Sequence, residues 1–345
     1  MTLKGVILSG GKGSRLSPIT DDYPKQLLPI IGKPILFHCI DHLRKSGIKD
    51  IAIIINPETC DQIQEAVNKE DYPENISFIV QEEALGLAHA VNCAKEFIGQ
   101  DDFLVLLGDN LFDKSLKSLI TKFKESQSDS LILLKEVERP YDFGVADIGE
   151  DGRVKKLIEK PKTFVSNYAV VGVYLFKASI FNAIEGLNPS ARGELEITDA
   201  IAKQITLGQT VQTAFLDSYW FDSGTLHGLL DANKTFLLKS EKFDNINTRI
   251  RDSYILGKVA IGSGSTIENT KIMGPVYIGK NVHIRDSIIG PFSTIADNCI
   301  IDDSELQEVV TMEQASIFNS QIVSSIIFKE STLSNTNPVI NKLHK

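Results

Sequence analysis

The feature that most narrows what this chain can fold into is a spacing. Ile255, Ile261 and Ile267 stand six residues apart, a step of eleven leads to Ile278 and Ile284, and a second leads to Ile295 and Ile301. Hexapeptide recurrence of an aliphatic residue marks a β-helix, in which no coil buries its own apolar face and stacked coils share one continuous ladder. An ordinary domain of short strands is the competing reading, and the regularity of the isoleucines weighs against it. From about Leu306 the repeat fades, and residues 336–345 read as a tail.

Ahead of the repeat the rhythm is different. Short apolar runs at 5–9, 51–55, 76–81, 103–107 and 131–134 predict strands, and segments 34–46, 85–97 and 116–125 predict helices between them. Strands that alternate with helices imply an α/β fold built on a doubly wound, mostly parallel sheet, with ligands beyond the carboxyl ends of its strands. After Tyr141 the sequence turns strand-rich at 143–147, 154–159 and 169–176, which predicts a flap on the same sheet, before helices return at 196–207 and 224–238. A polar stretch over 239–248 then marks a boundary. The expected division is residues 1–244, residues 245–335 and the tail.

Composition bounds the function. The chain has 345 residues, enough for two cores, and a net charge of −9 without a Lys/Arg block, which argues against nucleic acid as a partner. No stretch is long enough to span a membrane, and the N-terminal apolar run is too short for a signal peptide. Cys39, Cys60, Cys93 and Cys299 lack metal or disulfide spacing and read as reduced thiols of a cytoplasmic protein.

The first strand runs into Ser9-Gly10-Gly11-Lys12-Gly13-Ser14-Arg15-Leu16. Glycines let backbone N–H groups approach a phosphate, and Arg15 can add a charged fork. The run is neither a Walker A loop nor a GxGxxG fingerprint, and a tight turn with a solvated Arg is its plain alternative. In Tyr23-Pro24-Lys25-Gln26-Leu27-Leu28-Pro29 two prolines stiffen a loop that offers a cation and an amide. Asp109 follows an apolar strand across one glycine, and Asp222 precedes Ser223-Gly224. Magnesium commonly takes one or two carboxylates beside substrate phosphates, although each Asp could equally cap a helix or a turn. Gln26 and Gln81 carry donor and acceptor together, which suits a pyrimidine edge. Glu159-Lys160 could be a surface ion pair, Val170 plain strand core, and His89 helix packing.

Read in order, these segments resemble the glucose-1-phosphate thymidylyltransferases, particularly their long form with a C-terminal left-handed β-helix. The resemblance also rests on Leu85-Gly86-Leu87-Ala88-His89-Ala90, Leu107-Gly108-Asp109-Asn110, Phe143-Gly144-Val145, Glu159-Lys160-Pro161, the run from Ala191 to Asp199, and Trp220-Phe221-Asp222-Ser223-Gly224. Ser9 departs from it, standing where that family usually has Ala. The resemblance implies a magnesium-dependent enzyme that joins a nucleoside triphosphate, most readily dTTP, to a sugar-1-phosphate. Leu8, Gly10, Gly11, Gly13, Gln26, Gln81 and Gly86 would bind the nucleotide, and Arg15, Lys25 and Lys160 would handle the phosphates. Asp109, Gly144, Glu159, Lys160 and Val170 would line the sugar, with Asp109 and Asp222 as metal ligands. Arg192 and Glu194 would shape the sugar end or simply begin a helix. A uridylyl-transferring relative shares almost every motif. The β-helix would serve stability and homo-oligomer assembly. Acyl transfer is its alternative, and His283 is the one histidine inside the regular repeat.

Overall fold

A computed structural model describes residues 2–240, 248–336 and 338–344. The chain forms two compact units, Met1–Gly11 with Leu36–Trp220, and Lys12–Ile35 with Phe221–Lys345. The expected boundary near residue 244 lies outside the described residues.

In the first unit β1 (Leu3–Leu8), β2 (Asp50–Ile55), β3 (Asn75–Val80) and β4 (Asp102–Leu107) lie parallel in the order β3-β2-β1-β4. Val6 and Ile7, Ile51 to Ile55, and Phe103 to Leu106 are all fully buried. Successive strand residues face opposite sides, so both faces of these strands are covered, which is why they read as unbroken apolar runs. The chain builds outward from β1 through β2 to β3, then returns to place β4 on the other side of β1. That reversal makes the carboxyl ends of β1 and β4 a switch point, where open α/β sheets bind ligands.

The sheet continues through β5 (Ser130–Glu136), β6 (Gly144–Ile148), β7 (Val154–Glu159), β8 (Tyr168–Phe176) and β9 (Val211–Phe215). β8 is antiparallel to β4, β5 and β6, and β7 pairs β6, so the strand-rich flap does belong to the same sheet. A register shift in β8 between Val170 and Tyr174, with Gly172 at φ 80°, marks a bulge. It lets one strand pair Ala169 with Val145 of β6 and then Val173 with Leu106 of β4.

The longer helices of this unit are α1 (Ile35–Lys45), α2 (Cys60–Asn68), α3 (Leu87–Cys93), α4 (Leu116–Ser126) and α5 (Ile197–Thr206), beside short ones at Lys95–Ile98 and Ile180–Ile184. The helix expected over 85–97 begins two residues later because Gly86 holds φ 104°, ψ 177°, a conformation no helix contains, and it breaks at Ala94 before a short second helix, Lys95–Ile98. α2 was passed over in the sequence although its buried residues, Ile63 and Val67, stand four apart on one helical face.

In the second unit α6 (Leu226–Lys239) starts at Thr225, whose side chain accepts the Gly228 N–H. Beyond it the coils stack in parallel, and the fold is the expected β-helix. Its true period is seventeen residues: Asn269 bonds Asp286, and Arg285 bonds Asp302, each across that separation. One ladder runs Ile255, Ile272, Ile289, Leu306, Ile322, and another runs Ile267, Ile284, Ile301, Ile317, Leu333. The eleven-residue steps of the sequence are therefore two sides of the coil, with Ile272 and Ile289 on the side passed over.

The ladders do not fade at Leu306. Between Leu306 and Val310 a corner loses one residue: Ile289 pairs Leu306 across seventeen residues, but Thr294 pairs Val310 and Ile301 pairs Ile317 across sixteen, so the hexapeptide phase slips while the stacking continues. The supposed tail also joins the sheet, with Val339–Ile340 and Leu343–His344 pairing the strand Gln321–Ile327. Corners are turned by residues in the left-handed region, among them Asp252, Asn269, Asp286, Asp303, Asn319 and Asn335. Asn and Asp tolerate that conformation better than other side-chain-bearing residues.

Candidate functional site

Four neighbouring strands of the first unit each end in a polar or glycine residue: Gln81 after β3, Asn56 after β2, Gly10 after β1, and Asp109 after β4. Backbone pairing continues past the strand ends and fixes their register, with Ser9 N–H on Ile54 O at 2.7 Å, Gln81 N–H on Ile55 O at 2.7 Å and Gly108 N–H on Leu8 O at 2.9 Å. Leu8 is a buried strand residue beneath the loop. Asn56, which sequence reasoning passed over, donates to Gly10 O at 3.1 Å and accepts from Thr59 N–H at 2.9 Å. An asparagine directly after the apolar run 51–55 was the available signal.

Gln81 is almost fully buried, and its Oε1 occupies the space a Gly10 side chain would need. Its Nε2 lies 3.3 Å from Gly86 O and 3.0 Å from His89 Nδ1. A carbonyl oxygen only accepts, so the amide nitrogen must face Gly86, and His89 Nδ1 then accepts too, leaving the ring proton on Nε2. His89 thus orients Gln81, which corrects its reading as a packing residue. At Gly86 any Cβ would come 2.7 Å from Leu195 O, so glycine is demanded both by φ and by this approach.

Asp109 sits beyond Gly108, above the buried Cys39, whose Sγ lies 3.7 Å from both Leu107 O and Asn110 O. Burial pushes the Cys39 thiol up and the Asp109 charge adds to it, so this cysteine stays protonated and inert. Asn110 is buried and donates to Val171 O beside the β8 bulge.

Glu159, Gly144 and Val170 come together at the flap. Glu159 accepts from Thr198 Oγ1 at 3.3 Å and faces Arg192 at 3.4 Å. Burial, then the neighbouring Glu196 charge, raise its carboxyl above the ordinary value. A Cβ at Gly144 would meet Thr198 Cγ2 at 2.7 Å and Glu159 Oε2 at 3.1 Å, so packing alone accounts for glycine there. Val170 is core. Lys160 is exposed and takes a left-handed φ of 41°, its N–H bonded to Phe143 O at 3.0 Å. Arg192 also reaches Glu194 at 3.2 Å and Glu196 at 3.4 Å, while α5 begins only at Ile197. A helix does start within this segment, with Glu196 at its N-cap and Asp199 in its first turn, and ahead of it Arg192 is clamped by carboxylates beside Glu159.

The second unit holds the other motif residues. Gly13 takes φ 73°, and the aliphatic stem of Lys25 fills the space on its open side. Thr20 Oγ1 donates to Gly13 O at 2.8 Å, and Gln26 is buried in the short helix Lys25–Leu27. Asp222 Oδ1 accepts the Gly224 N–H at 2.9 Å, and its Oδ2 lies 3.3 Å from Arg15. With Arg15 61% and Asp222 35% exposed, that pair is worth at most about 1 kcal/mol, weak enough to open for a ligand. Among the described residues no group of three or more His, Cys, Asp or Glu is gathered for a metal. Single carboxylates at Asp109 and Asp222 match instead the sparse donors that magnesium takes beside phosphates. His283 bonds Thr266 Oγ1 at 2.6 Å on the coil surface, in line with its neighbours in the ladder. No helix among the described residues is long and apolar enough to cross a membrane.

The sequence profile of the nucleotidyl transferase family matches residues 4–240. A glucose-1-phosphate thymidylyltransferase of Streptomyces griseus is 37% identical over 91% of this chain and 88% of its own. A crystal structure assigned as a glucose-1-phosphate thymidylyltransferase from Bacillus anthracis, in complex with sucrose, superposes with a TM-score of 0.64 at 36% identity, covering 71% of this chain and 98% of that one. A UDP-glucose pyrophosphorylase in complex with UDP-glucose gives 0.63 at 25% identity, over 70% of this chain and all of that one. With the profile spanning most of the chain and the strand ends carrying the expected residues, this protein belongs to the nucleotidyl transferase family.

Proposed function

We propose that the chain transfers a nucleotidyl group from dTTP to glucose-1-phosphate, releasing pyrophosphate. The observation that carries the reading is the row of Gln81, Asn56, Gly10 and Asp109 at four adjacent strand ends about the switch point. A phosphate oxygen of the sugar is already ionised at neutral pH, so the attack on the α-phosphorus needs no protein base. The protein's task is alignment and charge stabilisation. Gly10, Gly11 and Gly13 offer backbone N–H groups to the triphosphate, Arg15 turns to it from Asp222, and Lys25 adds a second cation. Lys160 holds the attacking phosphate, Glu159 accepts from sugar hydroxyls, and Gln81 and Gln26 meet the base beside Gly86. Asp109 and Asp222 are the proposed magnesium ligands, and bound magnesium would offset charge on the phosphates.

The relative from Streptomyces favours dTTP, while the likeness to a UDP-glucose pyrophosphorylase favours UTP as the second reading. One methyl group separates the two bases and is worth about 1 kcal/mol of burial, so appreciable use of UTP is expected. The functional division falls near residue 244, with a homo-oligomer built on the coils. Free thiols at all four cysteines suit a reducing cytoplasm. Pyrophosphate release across a matrix of nucleoside triphosphates and sugar-1-phosphates tests the whole assignment. The dTTP and glucose-1-phosphate pair should lead, and ATP or GTP outrunning both pyrimidine nucleotides would overturn it.

A further inference from the structure

The segment that carries Lys25 and Gln26 is fastened to the β-helix on both sides of those residues, inside the second unit. On one side the Tyr23 ring meets the Phe328 ring edge to face, with centroids 5.5 Å apart, and Lys329 Nζ lies 5.3 Å over it. On the other, the turn that joins Pro29–Ile30 to Lys33–Pro34 rests on the coils. Ile31 N–H donates to Asn233 Oδ1 at 3.3 Å, and Gly32 lies so close to the Tyr277 ring that a Cβ would come within 2.9 Å of it.

Asn233 is fully buried on α6 and makes three contacts. Its Oδ1 also accepts from Thr294 Oγ1 at 2.8 Å, and its Nδ2 donates to Phe292 O at 3.1 Å. An amide satisfied on three sides in a dry site cannot shift without losing bonds, so it fixes the turn to the coil. Between the two fasteners the chain has little freedom. Pro24 presets its backbone, Leu27 N–H bonds Pro24 O at 2.9 Å, and the Lys25 stem is packed on Gly13.

We propose that the β-helix is the seat of the nucleotide loop, with Tyr23 and Asn233 as positioning residues that hold Lys25 and Gln26 for the triphosphate. This rests on the nucleotide role given above to Lys25 and Gln26. It gives the coils a part in substrate binding besides stability and assembly.

The test uses the full-length chain with Tyr23→Ala, Tyr23→Phe, Phe328→Ala and the Tyr23→Ala/Phe328→Ala double variant. For each, kcat, KM for dTTP, KM for glucose-1-phosphate and the melting temperature are measured. Loss of one edge-to-face ring contact should raise KM for dTTP about three- to tenfold. KM for glucose-1-phosphate should stay unchanged, the double variant should be no worse than the more affected single one, and Tyr23→Phe, which keeps the ring contact and loses only the 3.4 Å hydrogen bond from the hydroxyl to Leu27 O, should stay closer to the parent than Tyr23→Ala. A Phe328→Ala chain with unaltered KM for dTTP, or variants that raise both KM values equally in step with a falling melting temperature, would overturn the seating. Lys25→Ala separates the two claims. Unchanged KM for dTTP there overturns the nucleotide assignment and the seating with it, whereas a raised KM there beside an unaffected Phe328→Ala overturns the seating alone.

Discussion

The two units place chemical groups by different means. In the first, a residue's position follows from where a strand ends: Gln81, Asn56, Gly10 and Asp109 are set by register, and the backbone bonds that continue past β1, β3 and β4 hold that register. In the second, the coils carry none of the proposed site residues themselves. They hold a loop and a turn from elsewhere in the sequence through Tyr23, Asn233 and Tyr277. A strand-end site tolerates change in its flanking loops, whereas a seated loop depends on side chains far away in sequence.

The sharpest way to break this contrast is at the two carboxylates, one from each unit. Asp109→Asn and Asp222→Asn should each lower kcat by roughly two to three orders of magnitude while the circular dichroism spectrum is kept. Near-normal turnover of either variant at saturating magnesium would remove that residue from the ligand set.

Core substitutions ask whether the units melt separately. Ile53→Ala in β2 and Ile284→Ala in the coil ladder both empty fully packed positions and should each cost about 2–4 kcal/mol. Scanning calorimetry should show each variant lowering the transition of its own unit. One transition displaced equally by both would make the molecule a single cooperative block.

Glu159→Gln tests charge placement in the first unit. Because the folded carboxyl is raised, its contribution to stability is full below the ordinary value of 4.5 and is lost as pH rises through the folded value. The glutamine variant should therefore melt higher than the parent at pH 7 and lose that advantage near pH 4. Its kcat/KM for glucose-1-phosphate should fall about tenfold through the lost charged hydrogen bonds. An unchanged melting temperature at pH 7 would contradict the burial argument.

The smallest effect is expected at His89. With Leu there, Gly86 O alone orients Gln81, and the preference for a base with an N–H at position 3 should weaken. The ratio of kcat/KM for UTP over CTP should drop about three- to tenfold, the worth of one hydrogen bond. Equal loss with both nucleotides would return His89 to a packing role.

Much of this was legible because it is periodic or punctuated. The aliphatic runs of β1, β2 and β4, the glycine loop after β1 and the six-residue isoleucine step all carry local signals. What escaped depends on distant partners. His89 looks like any helical histidine until Gln81 is placed beside it, and the seating of Tyr23 on Phe328 has no local trace. On the coil face entered at Ile255 the continuation through Ile272 and Ile289 was missed because these residues break the even step of six, and the later coils were missed because one shortened corner put the count out of phase.

The seventeen-residue coil sets a rule for how this protein can change length. The seat draws on successive rungs: Tyr277 pairs Thr294, Thr294 pairs Val310, Val310 pairs Ile326, and Phe328 follows. A whole turn added between Tyr277 and Phe328 would slide one fastener past the other by about 4.8 Å, the distance between neighbouring strands. A turn added beyond Ser334 would leave both fasteners where they are. Growth and trimming should therefore be tolerated at the far end of the coil stack, and descendants of this gene should keep a constant count of residues between those two aromatic rings.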